Sequence, residues 1–210
     1  MEKIRNCILP QGLTKAAYSM GAALLFFVLD LEVFSLLSLA FALFFLFAYR
    51  RGARISANIS DSGVCAPIDG RVTAIEDIDD ENYGYRLTIE SSWMDSSVLY
   101  TPFYAKSFTL KLQRGARLSK ESRLFGTLGE SLEALFQNGN KKVKIVHRLK
   151  RSPLRIEVLA QKKGHIECGE NYGFAFDALT TIYLPKEFRL NIHVGQKIYA
   201  SQNILGYFSS

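Results

Sequence analysis

Apolar residues crowd one end of this chain. Ala16 to Leu29 and Val33 to Tyr49 run almost without charge, and only Asp30, Leu31 and Glu32 separate them. A bilayer core of about 30 Å takes roughly 20 apolar residues in one helix, and each run falls slightly short of that. Read as one continuous helix, the stretch would bring Asp30 and Glu32 to mid-membrane, at about 2.5–3.5 kcal/mol for an aspartate. The pattern therefore predicts two helices, about 15–29 and 33–49, joined by an acidic turn. Lys3, Arg5 and Lys15 precede the pair and Arg50, Arg51 and Arg54 follow it. An excess of positive charge marks the cytoplasmic side, so both ends are expected there, with Arg50, Arg51 and Arg54 at the membrane surface. Residues 1–54 thus read as a transmembrane hairpin anchor in the inner (cytoplasmic) membrane. A cleaved signal peptide has one short apolar run, and a buried soluble helix pair has one apolar stripe, whereas Phe41, Phe44, Phe45 and Phe47 face all sides. A single span over Val33 to Tyr49, with the first run lying in the interface, stays open beside the hairpin.

After Tyr49 the period changes. Arg86 to Glu90 alternates with Leu87 and Ile89 on one face, Phe108 to Leu112 does the same, and Lys141 to Arg148 sets Val143, Ile145 and His147 opposite Lys142, Lys144, Val146 and Arg148. Arg155 to Ala160 and Thr180 to Leu184 complete the expected strands, and one short helix is expected at Ser131 to Phe136. Glycines 70, 84, 115, 164, 169 and 195 stand at turn-like positions. Residues 55–210 read as one mainly β domain facing the cytoplasm.

Among 210 residues the net charge is +6. Lys141, Lys142, Lys144, Arg148, Lys150, Arg151 and Arg155 form one basic stretch, and Arg114, Arg117, Lys120 and Arg123 another. For a domain held near a cytoplasmic leaflet, anionic lipid is a simpler partner than nucleic acid, and solvated strand faces explain the charge equally well. Cys7, Cys65 and Cys168 are odd in number and widely spaced, which suggests neither a disulfide framework nor a zinc site and suits a reducing compartment. His147, His165 and His193 are scattered, read as strand or turn residues, and imply no metal. No nucleophile elbow, phosphate loop or dinucleotide fingerprint occurs.

Several segments nevertheless resemble, in order, the short membrane-anchored form of phosphatidylserine decarboxylase and its archaetidylserine relatives. Ile8-Leu9-Pro10-Gln11-Gly12 before the apolar hairpin looks like that family's N-terminus. Ala66-Pro67-Ile68-Asp69-Gly70-Arg71-Val72 looks like its S-P-A-D-G-K-V segment. Ser96 to Pro102 stands where the family has V-H-V-N-R-x-P, Gly164 to Gly173 resembles its G-x-x-V-x-x-G-E-R-F-G turn, and Tyr183-Leu184-Pro185, Val194 to Ile198 and Ile204-Leu205-Gly206 match the end of the domain. The resemblance implies a β fold related to barrel-sandwich domains, a membrane-facing site and a part in making phosphatidylethanolamine.

It also exposes what is missing. By the resemblance, the family makes a pyruvoyl electron sink from a serine that follows a glycine, the serine hydroxyl attacking the preceding carbonyl. Counted back from Pro185, the glycine and serine fall on Asp177 and Ala178. Counted forward from Gly173, the serine falls on Leu179. Neither position carries a hydroxyl, so no pyruvoyl cofactor is expected, and Thr180 and Thr181 lie in the following strand without a preceding glycine. The family's histidine falls on Ser97 and its arginine on Tyr100, and its N-E-R motif is reduced to Asn138-Gly139-Asn140. Of the three residues that act together in the family, only Asp69 remains, and Asp69-Gly70 after a proline is also simply a good turn. The expectation is a non-catalytic relative that binds membrane phospholipid, an intact decarboxylase or a second copy of itself. Two alternatives stand beside it: an active decarboxylase with a non-standard site, and a membrane-tethered adaptor unrelated to phospholipid.

Overall fold

A computed structural model describes residues 7–52, 62–159 and 164–209 of the protein. The chain forms two compact units, Met1–Ala53 and Arg54–Ser210.

The first unit is a helical hairpin. Helix α1 (Pro10–Val28) opens on a proline, whose missing N–H is no loss in a first turn, and α2 (Glu32–Ala48) places Glu32 at its positive N-terminal end. Asp30 takes the turn between them at φ 54°. The Leu9 N–H donates to the Tyr49 carbonyl at 3.0 Å, the Ser35 hydroxyl to the Ala23 carbonyl at 2.9 Å, and the Lys15 ammonium to the Tyr49 hydroxyl. Gly12, Ala16, Ala23, Ala42 and Ala48 are the buried positions of the two helices, so the pair meets through small side chains. Bulky residues such as Leu24, Phe27, Val33, Leu36, Phe41 and Leu43 are exposed.

The expected transmembrane hairpin is corrected here: among the described residues no helix is long and apolar enough to cross a membrane. The first turns of α1 go to Gln11, Thr14 and Lys15. Helix α2 has 17 residues, or about 26 Å at ~1.5 Å per residue, against a hydrocarbon core of about 30 Å.

The second unit is mainly β. A seven-stranded antiparallel sheet runs in the order β12 (Lys197–Ile198), β2 (Gly70–Asp77), β3 (Tyr85–Glu90), β10 (Ala178–Leu184), β7 (Lys141–Leu149), β6 (Ser131–Asn138), β5 (Ser107–Gln113). Two three-stranded sheets accompany it. One is β1 (Gly63–Cys65), β13 (Ile204–Phe208) and β11 (Phe188–Leu190). The other is β4 (Val98–Tyr100), β9 (Asn171–Phe174) and β8 (Glu157–Val158). A single turn of helix, α3 (Phe125–Leu128), precedes β6. The barrel-sandwich expectation is corrected as well, since no closed barrel forms among the described residues. The large sheet ends at β12 and β5, and a two-residue strand cannot supply a ladder for a seven-residue one. The helix expected at Ser131 to Phe136 is strand β6. Leu, Glu and Ala there are good helix formers, but Leu132, Ala134 and Phe136 point into the core at a period of two, and pairing with β5 and β7 overrides local preference.

The core contains Leu87, Ile89, Leu132, Phe136, Val143, Ile145, Tyr172, Ile182 and Leu184, all fully buried. A small polar cluster stands among them. His147 on β7 makes a 2.8 Å hydrogen bond between Nδ1 and the Thr180 hydroxyl and a 2.5 Å one between Nε2 and the Tyr172 hydroxyl. A neutral ring supplies one donor and one acceptor, so both nitrogens are satisfied without charge. Burial lowers the His147 pKa to about 3 and pushes the Tyr172 hydroxyl well up.

Acid stability depends on this ring. The unfolded imidazole takes up its proton near the ordinary 6.5, the folded one only near 3. The stabilising effect is therefore complete above the unfolded value and is lost, at about 1.4 kcal/mol per pH unit, as pH falls toward the folded one. His147→Gln, which can still donate and accept, is expected to flatten the decline of the urea midpoint between neutral and mildly acidic pH. Parallel curves for variant and parent would remove His147 as the cause.

Candidate functional site

Four strand ends meet along one side of the large sheet. Gly70 begins β2, Glu90 ends β3, Ala178 begins β10 and Leu149 ends β7, with Arg71 and Leu179 both in register with Glu90 and Ala178 in register with Leu149. The residues just outside these ends are Asp69, Ser91, Asp177 and Lys150. A side chain on Gly70 would meet the Glu90 carbonyl at 2.6 Å, so β2 can start this close to β3 only with glycine.

Hydrogen bonds tie the row together. The Ser91 hydroxyl donates to the Asp69 carbonyl at 2.6 Å, and the Ser91 N–H to the Ala178 carbonyl at 3.0 Å. The Asp69 carboxylate accepts from the Ala200 N–H at 2.7 Å. The carboxylate thus reaches a connection distant in sequence, beyond what the local Asp-Gly step suggests. Ser97 is buried, and its carbonyl accepts from the Ala175 N–H at 2.8 Å, while the Tyr100 N–H donates to the Pro67 carbonyl at 2.8 Å. The segments carrying Asp69, Ser97 and Ala178 are thus brought side by side by main-chain bonds. Asn138-Gly139-Asn140 lies instead in the turn between β6 and β7.

Charge at this end centres on Lys150. Its ammonium donates to the Ser91 carbonyl at 2.9 Å and lies 3.0 Å from Glu90 Oε1 and 2.9 Å from Asp177 Oδ1. Lys120 reaches Glu90 from outside at 2.9 Å. Burial pushes the Glu90 carboxyl up, but the hydrogen bonds and charges of Lys120 and Lys150 outweigh it and hold the group below the usual range. Asp177 has φ 55°, the left-handed region that glycine enters freely and other residues rarely. Beside the row, the Trp93 ring lies 5.9 Å from that of Phe176, and Trp93 and Met94 are exposed. The base of this loop is fixed by Asp95, which accepts from the Ser92 N–H and hydroxyl and pairs with Lys197 at 3.1 Å.

The remaining sequence candidates lie elsewhere or serve the fold. Arg50 packs on the Phe47 ring and donates to the Phe47 carbonyl, the Arg51 N–H donates to the Cys7 carbonyl, and Arg54 lies outside the described residues. Much of the basic charge is used internally: Arg114 pairs with Glu130, Lys144 with Glu133, and Arg117 donates to the Ser152 and Pro153 carbonyls. His165 and His193 are exposed, and among the described residues no group of three or more His, Cys, Asp or Glu is arranged to hold a metal. Sequence reading missed Ser91, the Glu90–Lys150–Asp177 cluster and the His147–Thr180–Tyr172 contact. The contacts that join them span 22 or more positions in the chain, so no local spacing could reveal them.

Among known proteins, the chain is similar to a phosphatidylserine decarboxylase proenzyme of Chlorobium phaeobacteroides (strain BS1). The two are 26% identical over 191 residues, covering 89% of each chain. No family model matches the chain, and no solved structure does.

Lys150 is shielded, with 14% of its side chain exposed, and Asp177 with 12%. Lys150→Met keeps the aliphatic stem but removes the cation that the two carboxylates share, leaving Glu90 with Lys120 alone. It is expected to lower unfolding stability by about 2–3 kcal/mol in urea denaturation at neutral pH. A loss below about 0.5 kcal/mol would reduce the cluster to an ordinary surface pair.

Proposed function

We propose that this protein is a relative of phosphatidylserine decarboxylases in phospholipid metabolism that has lost self-cleavage and decarboxylation and acts by binding lipid or a lipid enzyme. The observation that carries this reading is the Asp177–Ala178 step. Of the two positions where the resemblance could put the family's glycine and serine, only this one has a left-handed backbone before the strand, at Asp177. That is a conformation glycine adopts without strain, so the backbone here suits the glycine of the family's step although Asp177 and Ala178 stand in its place. Alanine has no hydroxyl to attack the carbonyl before it, so the residues present do not fit a pyruvoyl group. Ser97, where the family has a histidine, supplies no imidazole beside the row.

The active-enzyme alternative has one observation in its favour, a threonine hydroxyl hydrogen-bonded to a histidine at Thr180 and His147. Both residues are fully buried, and Thr180 is paired in mid-strand on both sides, to Ile89 and to His147. Desolvation also makes His147 a weak base. The contact is better explained as a satisfied polar group in the core.

The lipid part of the reading rests on surface character. The hairpin turns small residues inward and large apolar ones outward, the reverse of a helix pair built for water. A hairpin of this kind suits the boundary between headgroups and acyl chains without spanning them. The exposed Trp93 and Met94 beside the strand-end row offer the β unit a contact of the same kind.

The first test is the intact mass of the purified full-length protein, with and without a carbonyl-trapping hydrazine. One uncleaved species of 23.6 kDa without adduct is expected. Two fragments, one carrying a trapped carbonyl, would return the active decarboxylase to first place. The second is flotation with vesicles. A family-derived binder prefers phosphatidylserine over phosphatidylglycerol at equal surface charge, whereas binding that follows charge alone and weakens with salt indicates an electrostatic tether unrelated to headgroup.

A further inference from the structure

Cys65 and Cys168 are 103 positions apart in sequence, and folding brings them together. Cys65 ends β1 and is fully buried, while Cys168 stands in the turn before β9 and is partly exposed. The Cys65 N–H donates to the Pro102 carbonyl at 2.8 Å, and the Cys168 thiol reaches the same carbonyl at 3.6 Å. The Cys168 thiol also lies 3.9 Å from the Thr101 carbonyl, so the turn that carries it runs along the same Thr101–Pro102 stretch to which the end of β1 is bonded, and neither cysteine is in a disulfide. We propose that Cys65 and Cys168 form a reversible dithiol–disulfide pair, a modification site that clamps β1 to the turn leading into β9.

The arrangement has the asymmetry that exchange chemistry needs. The neighbouring Cys65 thiol lowers the Cys168 pKa against the opposing effect of burial, whereas Cys168 together with burial pushes Cys65 far up. The partly exposed sulfur is thus the better thiolate, and the buried one is held in reserve beside it. With a low-molecular-weight disulfide as oxidant, the Cys168 thiolate attacks one of its sulfurs, forms a mixed disulfide and releases one small thiolate. The Cys65 thiol then gives up its proton and attacks Cys168 Sγ, expelling the second small thiol. Two protein thiols and one small disulfide become one protein disulfide and two small thiols, so atoms and electrons balance. A dithiol reverses the sequence. In a reducing compartment such a pair rests reduced and closes only under oxidation, which is how intracellular disulfides are commonly used.

The clamp bears on the candidate site through the chain. Cys65 leads directly into Ala66–Asp69, and the turn at Cys168 leads through β9 to Asp177 and Ala178. In the reduced form both segments are bonded to one stretch between them, the Cys65 N–H to the Pro102 carbonyl at 2.8 Å and the Gly169 N–H to the Thr101 carbonyl at 3.0 Å. A covalent link joins segments already held side by side and mainly restrains the unfolded chain.

Full-length protein is incubated with oxidised glutathione, unreacted thiols are blocked with iodoacetamide under denaturing conditions, and a non-reducing peptide map is read by mass spectrometry. The expected product is one crosslinked species joining the Cys65 and Cys168 peptides, with Cys7 carrying glutathione alone and the melting temperature raised by roughly 5–10 °C until dithiothreitol is added. In Cys65→Ala the crosslink is replaced by glutathione on Cys168. Cys168→Ser, at the partly exposed member, gives an independent check should the buried alanine impair folding, and there Cys65 is expected to stay a free thiol. Alkylation of both cysteines in the treated wild type, glutathione on each, or crosslinks that involve Cys7 would overturn the pair.

Discussion

Three strands end side by side at Glu90, Leu149 and Ala178, and two carboxylates stand at those ends where water reaches only in part. Their repulsion has to be neutralised for the strands to finish in register. Lys150 bridges the two with one ammonium, which also donates to the Ser91 main chain, and Lys120 adds a second cation at Glu90 from outside. Ser91 in turn joins Asp69 to Ala178. The position of every residue in the row depends on that charge being satisfied. Asp177 depends on it twice, because its carboxylate needs the cation and its left-handed backbone costs a non-glycine residue about 1–2 kcal/mol. Aspartate tolerates that conformation better than most, and the ion pair offsets part of the remainder.

The legible parts of the sequence are those set by local period. Strands β3, β5, β7 and β10 follow from alternation, and the hairpin from two apolar runs with an acidic break. The segment at Ser131–Phe136 misleads because its composition favours a helix, while its inward residues Leu132, Ala134 and Phe136 repeat every second position. Period is set by the surface a segment must cover, and composition only biases it. The shortness of the helices is legible too, since each apolar run falls short of a full span; the misreading lies in taking two such short runs for a spanning pair, although the turn at Leu29–Leu31 and the polar first turns of α1 consume chain that a span would need. At the site, Asp69, Ser97 and Ala178 are marked by resemblance and are neighbours in the fold. Their surroundings could not be found that way. Lys150 looks like one more residue in a basic run, and only the pairing of β3, β10 and β7 shows that it faces Glu90 and Asp177.

The same limit applies to the cysteines. Wide spacing argues against any bond between them, yet Cys65 and Cys168 reach one carbonyl because β1 and the turn before β9 both run beside Pro102. Sequence distance measures loop length, not separation, and antiparallel sheets with long connections bring remote residues together as readily as near ones. The hairpin presents the opposite case. Its small residues are local in pattern and its contacts simple, but what covers its bulky outer face is a matter of environment rather than of the chain.

Strand β10 lies in the middle of the large sheet, and its pairing begins at the first residue. Ala178 is matched to Leu149 on one side, and from Leu179 onward the strand is matched to β3 on the other. A break in the backbone just before Ala178 would therefore not release the C-terminal portion. That portion would remain held by two full ladders, with β11 and β13 pairing to each other and β12 pairing to β2. Continuity of the chain at that point is mechanically dispensable, and the fold could persist as two polypeptides as well as one.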